Sequence, residues 1–188
     1  MIALEETIAV LLCAGQSQRF GTADKLLHPL DGEPLVMHAA QMLASLPFAQ
    51  KIATVRSDAP ELHSLLSKAG FTLVPVPLGA SLADSLQHGL DAALGCTAGA
   101  ILLALGDMPW VTAQHMVALA DAASAERPAA SKAPDWTGPP WLAPAAWVRA
   151  NKGALRAGLL RDAAPVSANP AILRDVDTLT DLAPLENR

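Results

Sequence analysis

The sequence predicts an α/β fold: a single doubly wound, mostly parallel sheet with helices on both faces. Two apolar runs, Thr7–Cys13 and Ala100–Leu105, indicate strands that are buried on both faces of a parallel sheet. Strand-like and helix-like segments also alternate along the chain with short links between them, which is typical of doubly wound sheets. We therefore expect ligands to bind at the carboxyl ends of the strands.

The predicted elements follow one another closely as far as residue 123. After the first strand we expect, in order, a polar loop over 14–25, a turn at 31–32, a helix over 34–46, a strand over 51–55, a helix over 61–69, a strand over 71–76, a helix over 81–94, a strand over 100–105 and a helix over 112–123. Gly70 is typical of a helix C-terminus, and Ser81 with Asp84 is typical of a capping box. Thr112 is expected to cap the last of these helices.

Residues 125–144 have no clear periodicity. The stretch is rich in proline and contains Trp136 and Trp141. Long irregular segments in compact domains are often functional, so we predict a loop or lid here. The flat tryptophan rings are suited to stacking on a ligand, and they are equally suited to packing the lid against the core.

The composition indicates one compact domain with a sizeable core, since the chain has 188 residues and 52% of them are hydrophobic. A formal net charge of -5 argues against broad binding to nucleic acid. Cys13 and Cys96 are expected to be reduced. The first residues lack the basic start of a signal peptide, and the apolar run over 8–14 is too short to cross a membrane. We therefore expect a cytoplasmic protein with neither a nucleic acid nor a membrane as its partner.

The loop over 14–25 follows the first strand and has the composition of a phosphate-binding loop. Gly15 and Gly21 let backbone amides approach an anion closely, and Arg19 and Lys25 are suited to phosphate oxygens. The spacing matches neither a Walker loop nor a dinucleotide-binding fingerprint. The alternative is an ordinary strand-to-helix turn with two solvated cations.

Three aspartates are candidates for a metal site. Asp107 comes just after the strand over 100–105, with only Gly106 between them, where it can hold magnesium or, alternatively, cap a turn. Asp175 and Asp177 are two residues apart, so on a strand both would face the same side. One of them could join Asp107 on the metal while the other caps a helix or pairs with Arg174. The alternative is a solvated acidic turn.

Four segments together resemble the MobA-like NTP transferases, and within that family the molybdenum cofactor cytidylyltransferases most of all. They are Leu12–Gly21 with Lys25–Leu27, Pro75–Leu82, Leu105–Val111 and Asp175–Leu182. The resemblance implies a Rossmann-like nucleotidyltransferase fold in one domain over 1–188. It assigns residues 1–112 mainly to the nucleotide and residues 113–188 mainly to the acceptor and to completion of the metal site.

The resemblance implies Mg²⁺-dependent transfer of CMP from CTP to the terminal phosphate of molybdopterin, with release of pyrophosphate. It also implies contact with a molybdoenzyme or its chaperone. The implied catalytic residues are Arg19, Lys25 and Asp107, and the implied metal ligands are Asp107 and Asp177. The implied nucleotide-binding residues are Ala14, Gly15, Gln16, Ser17, Arg19, Gly21, Lys25, Gly79, Ser81 and Gly106. The implied acceptor-binding residues are Trp136, Trp141, Asn151 and Lys152.

The acceptor half departs from the family pattern in two places. Gly138-Pro139-Pro140 replaces the usual Gly-His-Pro, and Asn151 stands where an aspartate is common. These departures leave open a nucleotidyltransferase for another small phosphorylated acceptor. A guanylyltransferase that uses GTP on the same cofactor also stays open, because it differs mainly in the base pocket. An alternative of a different class is a non-catalytic nucleotide-binding regulator. The presence of Arg19, Lys25, Asp107 and Asp177 together argues against the regulator.

Overall fold

A computed structural model describes residues 1–15, 24–155 and 159–182. Its strands are β1 (Thr7–Cys13), β2 (Pro29–Leu30), β3 (Glu33–Pro34), β4 (Gln50–Arg56), β5 (Thr72–Val76), β6 (Ala100–Leu105), β7 (Ala129–Ala133), β8 (Trp136–Pro144) and β9 (Ala164–Ser167). Its α-helices are α1 (Leu35–Ala44), α2 (Pro60–Lys68), α3 (Leu82–Leu94), α4 (Ala113–Ala122) and α5 (Ala145–Asn151). In these residues, no helix is long and apolar enough to span a membrane.

Seven strands form one sheet in the order β5-β4-β1-β6-β8-β7-β9, and β2 pairs with β3 in a separate small hairpin. β1 pairs in parallel with β4 and β6, and β4 pairs in parallel with β5. β8 runs antiparallel to both of its neighbours, whereas β7 and β9 are parallel. The predicted mostly parallel sheet is confirmed.

Helices cover both faces of the sheet, as predicted. All seven residues of β1 are buried, and alternate side chains belong to two different hydrophobic clusters. Leu11 packs in the cluster that contains residues of α1, α2 and α4, whereas Val10 packs in the cluster that contains residues of α3 and α5. Each fully buried aliphatic side chain stabilises such a core by about 1.5–3 kcal/mol.

The predicted helix ends are largely confirmed. Ser81 and Asp84 form a complete capping box, the Thr112 side chain accepts a hydrogen bond from the amide of His115, and Gly70 has a φ of +85°. α1 is shorter than predicted. Pro34 belongs to β3, so α1 begins one residue later than predicted, at Leu35, and it ends two residues earlier, at Ala44.

The prediction of a loop or lid over 125–144 is wrong. This stretch forms β7 and β8, which pair with each other inside the main sheet. Pro139 and Pro140 suggested irregular structure, but they fall where the β7–β8 register shifts, between the Ala130–Trp141 pair and the Ser131–Gly138 pair. Proline is tolerated at such irregularities because its missing N–H interrupts no ladder hydrogen bond there.

Candidate functional site

A cavity of about 200 Å³ opens at the carboxyl ends of β1 and β6. These two strands pair in parallel as far as Leu12 and Leu105, so the segments that follow them start side by side. The charged residues of the lining are Lys25, Asp107, Asp175 and Asp177, and the remaining lining residues are Leu12, Gly15, Leu26, Leu82 and Leu105. The cavity therefore lies where ligands bind in open α/β sheets.

Lys25 links two acidic segments that are distant in the sequence. Its Nζ donates hydrogen bonds to Oδ2 of Asp107 at 2.6 Å and to Oδ1 of Asp177 at 3.3 Å. The lysine side chain is 9% exposed. Burial alone lowers the pKa of Lys25, but the charges and hydrogen bonds of Asp107 and Asp177 outweigh burial and raise the pKa above its usual value. Lys25 is therefore a cation at neutral pH.

Asp107 is held by the backbone on both sides. The amide of Gly106 donates to the carbonyl of Leu12 at 2.9 Å, and the amide of Val176 donates to the carbonyl of Asp107 at 2.9 Å. A Cβ on Gly106 would lie 2.8 Å from Sγ of Cys13, so glycine permits the close approach to β1. Among the described residues, the buried Oδ1 of Asp107 has no hydrogen-bond partner. This oxygen is available to a cation.

Asp175 and Asp177 both face the cavity, although the segment 174–177 is irregular and not a strand. The Asp181 carboxylate closes the turn by accepting from the amides of Asp177 (3.1 Å) and Thr178 (2.7 Å). The hydrogen bond from the Thr178 hydroxyl is the first cause of a lowered Asp181 pKa. These hydrogen bonds fix the backbone from which the Asp177 carboxylate extends.

Arg174 forms no ion pair with Asp175 or Asp177 among the described residues, which excludes the pairing considered from the sequence. Its guanidinium donates to the carbonyl of Asp181 at 2.7 Å and lies over the Trp110 ring at 4.4 Å from the centroid. Arg174 thus supports the turn from the side.

Asp175 also lines a second cavity, of about 240 Å³. The other lining residues are mainly apolar: Leu105, Met108, Ala133, Trp136, Pro170 and Leu173. Burial, then the charges of Asp177 and Asp107, raise the pKa of Asp175. The sequence did not single out Asp175 as a link between two cavities. The two-residue spacing from Asp177 was the available signal, and it does not show the second cavity.

The four acceptor candidates lie in different environments. Trp136 is 39% exposed and lines the second cavity. Trp141 is 2% exposed and packs in the core, as expected if this ring packs against the core and does not stack on a ligand. The Asn151 side chain donates to the carbonyl of Trp147, and Lys152 forms an ion pair with Asp91. Neither Asn151 nor Lys152 lines either cavity.

The nucleotide candidates are also divided. Gly15 and Lys25 line the first cavity, Ala14 is buried, and Gly106 permits the close approach of the segment after β6 to the end of β1. Gln16, Ser17, Arg19 and Gly21 lie outside the described residues. Gly79 has a φ of +84° in the turn before α3, and the Ser81 hydroxyl is engaged with Asp84. The next residue, Leu82, lines the cavity and was not predicted from the sequence.

The MobA-like NTP transferase domain matches residues 9–169 of this chain. A curated relative, the bifunctional protein GlmU of Sphingopyxis alaskensis, is 34% identical over 115 residues, which is 60% of this chain and 25% of that protein. The chain therefore spans about a quarter of the length of the curated relatives it matches.

Solved structures share the fold over almost the whole chain. A homologue of Mycobacterium tuberculosis Rv0371c from Mycobacterium sp. strain JC1 has a TM-score of 0.79 and 27% identity, covering 95% of this chain and 94% of that one. A nucleotidyl transferase from Methanothermobacter thermautotrophicus has a TM-score of 0.81 and 23% identity, covering 94% of both chains.

Rv0371c of M. tuberculosis itself, in complex with manganese, has a TM-score of 0.75 and 22% identity, covering 94% of this chain and 95% of that one. The match over 9–169 extends from β1 past β9 and includes Lys25 and Asp107. It spans most of the 188 residues. The chain belongs to the MobA-like NTP transferase family.

Proposed function

We propose that this protein is a magnesium-dependent nucleotidyltransferase that transfers CMP from CTP to the terminal phosphate of molybdopterin and releases pyrophosphate. The observation that supports this proposal best is the meeting of Lys25 with Asp107 and Asp177 in one cavity at the carboxyl ends of β1 and β6. A lysine beside two carboxylates combines a phosphate-binding cation with oxygen ligands for a divalent metal. Family membership supports a nucleoside triphosphate as the donor.

The residues of the cavity fit magnesium. The buried Oδ1 of Asp107 has no partner among the described residues, and carboxylate oxygens are ligands that Mg²⁺ prefers. Nowhere in 1–15, 24–155 and 159–182 do three His, Cys, Asp or Glu side chains form a metal-binding group on their own. Binding through one or two carboxylates plus substrate phosphates and water is the usual mode for Mg²⁺. When bound, the metal supplies positive charge beside the phosphates.

The transfer forms one P–O bond and breaks another. A terminal phosphate oxygen of the acceptor attacks the α-phosphorus of the nucleotide, and the bond from that phosphorus to the bridging oxygen of the β-phosphate breaks as pyrophosphate leaves. The attacking phosphate monoester is already largely ionised at neutral pH, so no general base is needed. Lys25 contributes a fixed, buried charge to the phosphates, and Asp107 and Asp177 hold Lys25 in place.

The second cavity is the proposed acceptor side of the site. Asp175 lines both cavities, so the proposed nucleotide and acceptor regions are contiguous. Trp136 provides an aromatic wall on which a flat pterin ring can stack. The nucleotide side draws on residues 1–112 and the acceptor side mainly on residues 113–188, with Asp175 and Asp177 from the second half facing the first cavity.

A thermal shift experiment with CTP, GTP, ATP and UTP, each with and without Mg²⁺, tests the donor and the metal. A ligand at a hundred times its dissociation constant stabilises the native state by about 2.7 kcal/mol. We expect the largest Mg²⁺-dependent shift with CTP. A shift led by GTP would favour the guanylyltransferase instead, and no shift with any nucleotide would contradict the proposal. Repeating the series with Mn²⁺ tests the metal identity.

Pyrophosphate release with molybdopterin as the acceptor tests the reaction itself. We expect release that requires CTP, Mg²⁺ and molybdopterin together. If pyrophosphate is released from CTP as fast with a simple sugar phosphate as with molybdopterin, the acceptor is another phosphorylated molecule. Tight nucleotide binding without release in the presence of any acceptor would indicate the regulator.

A further inference from the structure

Arg56 lies beside the first cavity without lining it. It is the last residue of β4, and its backbone pairs with Val76 of β5. Its carbonyl accepts hydrogen bonds from Nε2 of His63 at 2.8 Å and from the amide of Ala59 at 3.3 Å. The backbone from which this side chain extends is therefore fixed in the sheet.

The guanidinium of Arg56 uses all three of its nitrogens. Nη1 donates to the carbonyl of Gly15 at 2.8 Å, Nη2 to Oδ2 of Asp24 at 2.8 Å, and Nε to Oδ1 of Asp58 at 3.2 Å. Gly15 and Asp24 are the described residues on either side of 16–23. One side chain thus ties both flanks of this glycine-containing segment to the end of β4.

The pair with Asp24 is the better shielded of the two ion pairs. The side chains of Arg56 and Asp24 are 15% and 11% exposed, whereas that of Asp58 is 50% exposed. Exposed ion pairs contribute little, and shielded, charge-assisted hydrogen bonds contribute more. The ion pair with Asp24 is therefore expected to restrain the backbone at residue 24 more strongly than the pair with Asp58 restrains its own segment.

Asp24 connects the Arg56 guanidinium to the short helical turn that contains Lys25. Oδ1 of Asp24 accepts from the amide of Leu26 at 3.0 Å and so caps the short helical turn Lys25–Leu27. The amide of Leu27 donates to the carbonyl of Asp24 at 3.1 Å. The guanidinium thus holds one carboxylate oxygen while the other orients the turn that starts with Lys25.

We propose that Arg56 is a positioning residue for nucleotidyl transfer: it fixes the separation of Gly15 and Lys25, both of which line the cavity proposed for the nucleotide phosphates. The inference rests on the proposed function for its kinetic consequence. A planar guanidinium can bind two acceptors in a fixed geometry, whereas an ammonium on a flexible stem is a point charge. The role therefore requires arginine and not merely a positive charge.

The test compares Arg56→Gln and Arg56→Lys with Arg149→Gln, which removes an exposed arginine on α5. Two readouts are taken: amide hydrogen exchange of residues 24–28, and kcat and KM for the nucleoside triphosphate below the melting temperature of each variant. We expect both Arg56 variants to exchange faster and to lose about tenfold to a hundredfold in kcat/KM, the scale of a small misplacement of reacting groups. Arg149→Gln is expected to match the wild type in both.

Wild-type kcat and KM in Arg56→Gln, whatever its exchange or melting temperature, would overturn the positioning role. Full activity in Arg56→Lys would overturn the requirement for a two-acceptor geometry. If the wild type turns over no nucleotide, the proposed function fails. The connection that Arg56 makes between Gly15 and Asp24 is then tested by amide hydrogen exchange alone. Unchanged exchange in both Arg56 variants would in that case refute this connection as well.

Discussion

The two cavities that meet at Asp175 are built in different ways. The first is charged: Lys25 donates to Asp107 and Asp177, and backbone hydrogen bonds join the Asp107 segment to the end of β1 and to Val176. The second is mainly apolar, with Trp136 as one wall, contributed by the antiparallel part of the sheet. Charged groups that must align with phosphates need fixed backbone, whereas an apolar wall needs only shape. Under the proposed function, the charged cavity serves the nucleotide phosphates and the apolar cavity serves the acceptor.

Removal of the Asp107 carboxylate is expected to have the largest effect on the charged side. Asp107→Asn takes away both the proposed metal ligand and the hydrogen-bonded anion at Oδ2 that holds Lys25. We expect turnover to fall by at least about a hundredfold to a thousandfold, the scale seen when one preorganised charge-stabilising group is lost. Mg²⁺-dependent pyrophosphate release measures it.

Asp121→Asn is the matched control, because Asp121 is exposed on α4. It should behave as the wild type. If Asp107→Asn keeps its Mg²⁺-dependent turnover, the metal is held elsewhere and the charged cavity has lost its proposed purpose.

Loss of the Lys25 charge should have the next largest effect. Lys25→Met keeps an unbranched side chain of similar reach but leaves Asp107, Asp175 and Asp177 without their shared cation. We expect the rate of the transfer step to fall by about a hundredfold. Single-turnover transfer from CTP measures it, with Lys68→Met, an exposed lysine at the end of α2, as the control. A near-normal transfer rate in Lys25→Met would contradict the proposed catalytic role of Lys25.

The sequence predicted the charged side better than the apolar side, for a physical reason. Lys25 lies in the segment after β1, and Asp107 lies in the segment after β6. The apolar runs of both strands can be recognised locally in the sequence. Because the two strands are parallel, their carboxyl ends lie at the same edge of the sheet. The β7–β8 pairing has no such local signal. It depends on contacts with β6 and β9, and its prolines resemble those of a loop until the register shift is known.

The same limit explains the errors at single residues. Trp136 and Trp141 look equivalent in the sequence, but one lies near the start of β8 and is 39% exposed, while the other pairs between β6 and β7 and is 2% exposed. Arg56 was missed because its contacts with Gly15 and Asp24 lie 41 and 32 residues away. Neither the exposure of a tryptophan nor a contact between residues so far apart can be predicted from the spacing of residues alone.

The two tryptophans offer a way to sharpen the comparison on the apolar side. Trp136→Ala removes an exposed cavity wall, so we expect the KM for the acceptor to rise roughly tenfold, as for the loss of one stacking partner, with nucleotide binding unchanged. Trp141→Ala leaves a core cavity and is expected to lower the free energy of unfolding by about 3–5 kcal/mol. Steady-state kinetics with varied acceptor and urea unfolding measure the two effects. An unchanged acceptor KM in Trp136→Ala would detach the second cavity from the acceptor.

The smallest expected effect concerns the carboxylate shared by the two cavities. Burial and the charges of Asp177 and Asp107 raise the pKa of Asp175, so its proton is held more tightly in the folded than in the unfolded state. Stability from this residue is therefore present below the ordinary aspartate pKa of about 3.9 and is lost as the pH rises through the higher folded value. Asp175→Asn removes that loss, and we expect it to be more stable than the wild type at pH 7 without metal. For a chain of this length, each gain of about 1 kcal/mol raises Tm by roughly 2–4 °C, so melting curves resolve the sign of a small effect.

Melting curves of Asp175→Asn, with Asp121→Asn as the control, measure this gain, and repeating them at pH 3.5 should remove most of it because Asp175 is then protonated in both states. If Asp175→Asn is less stable than the wild type at pH 7, the ionised carboxylate of Asp175 stabilises the fold despite the charges of Asp107 and Asp177. The side chain of Asp175 would then attract cations as the rest of the charged cavity is proposed to do. A stabilised variant, in contrast, would show that this aspartate is kept against the stability of the fold, as a group that serves bound substrate is expected to be.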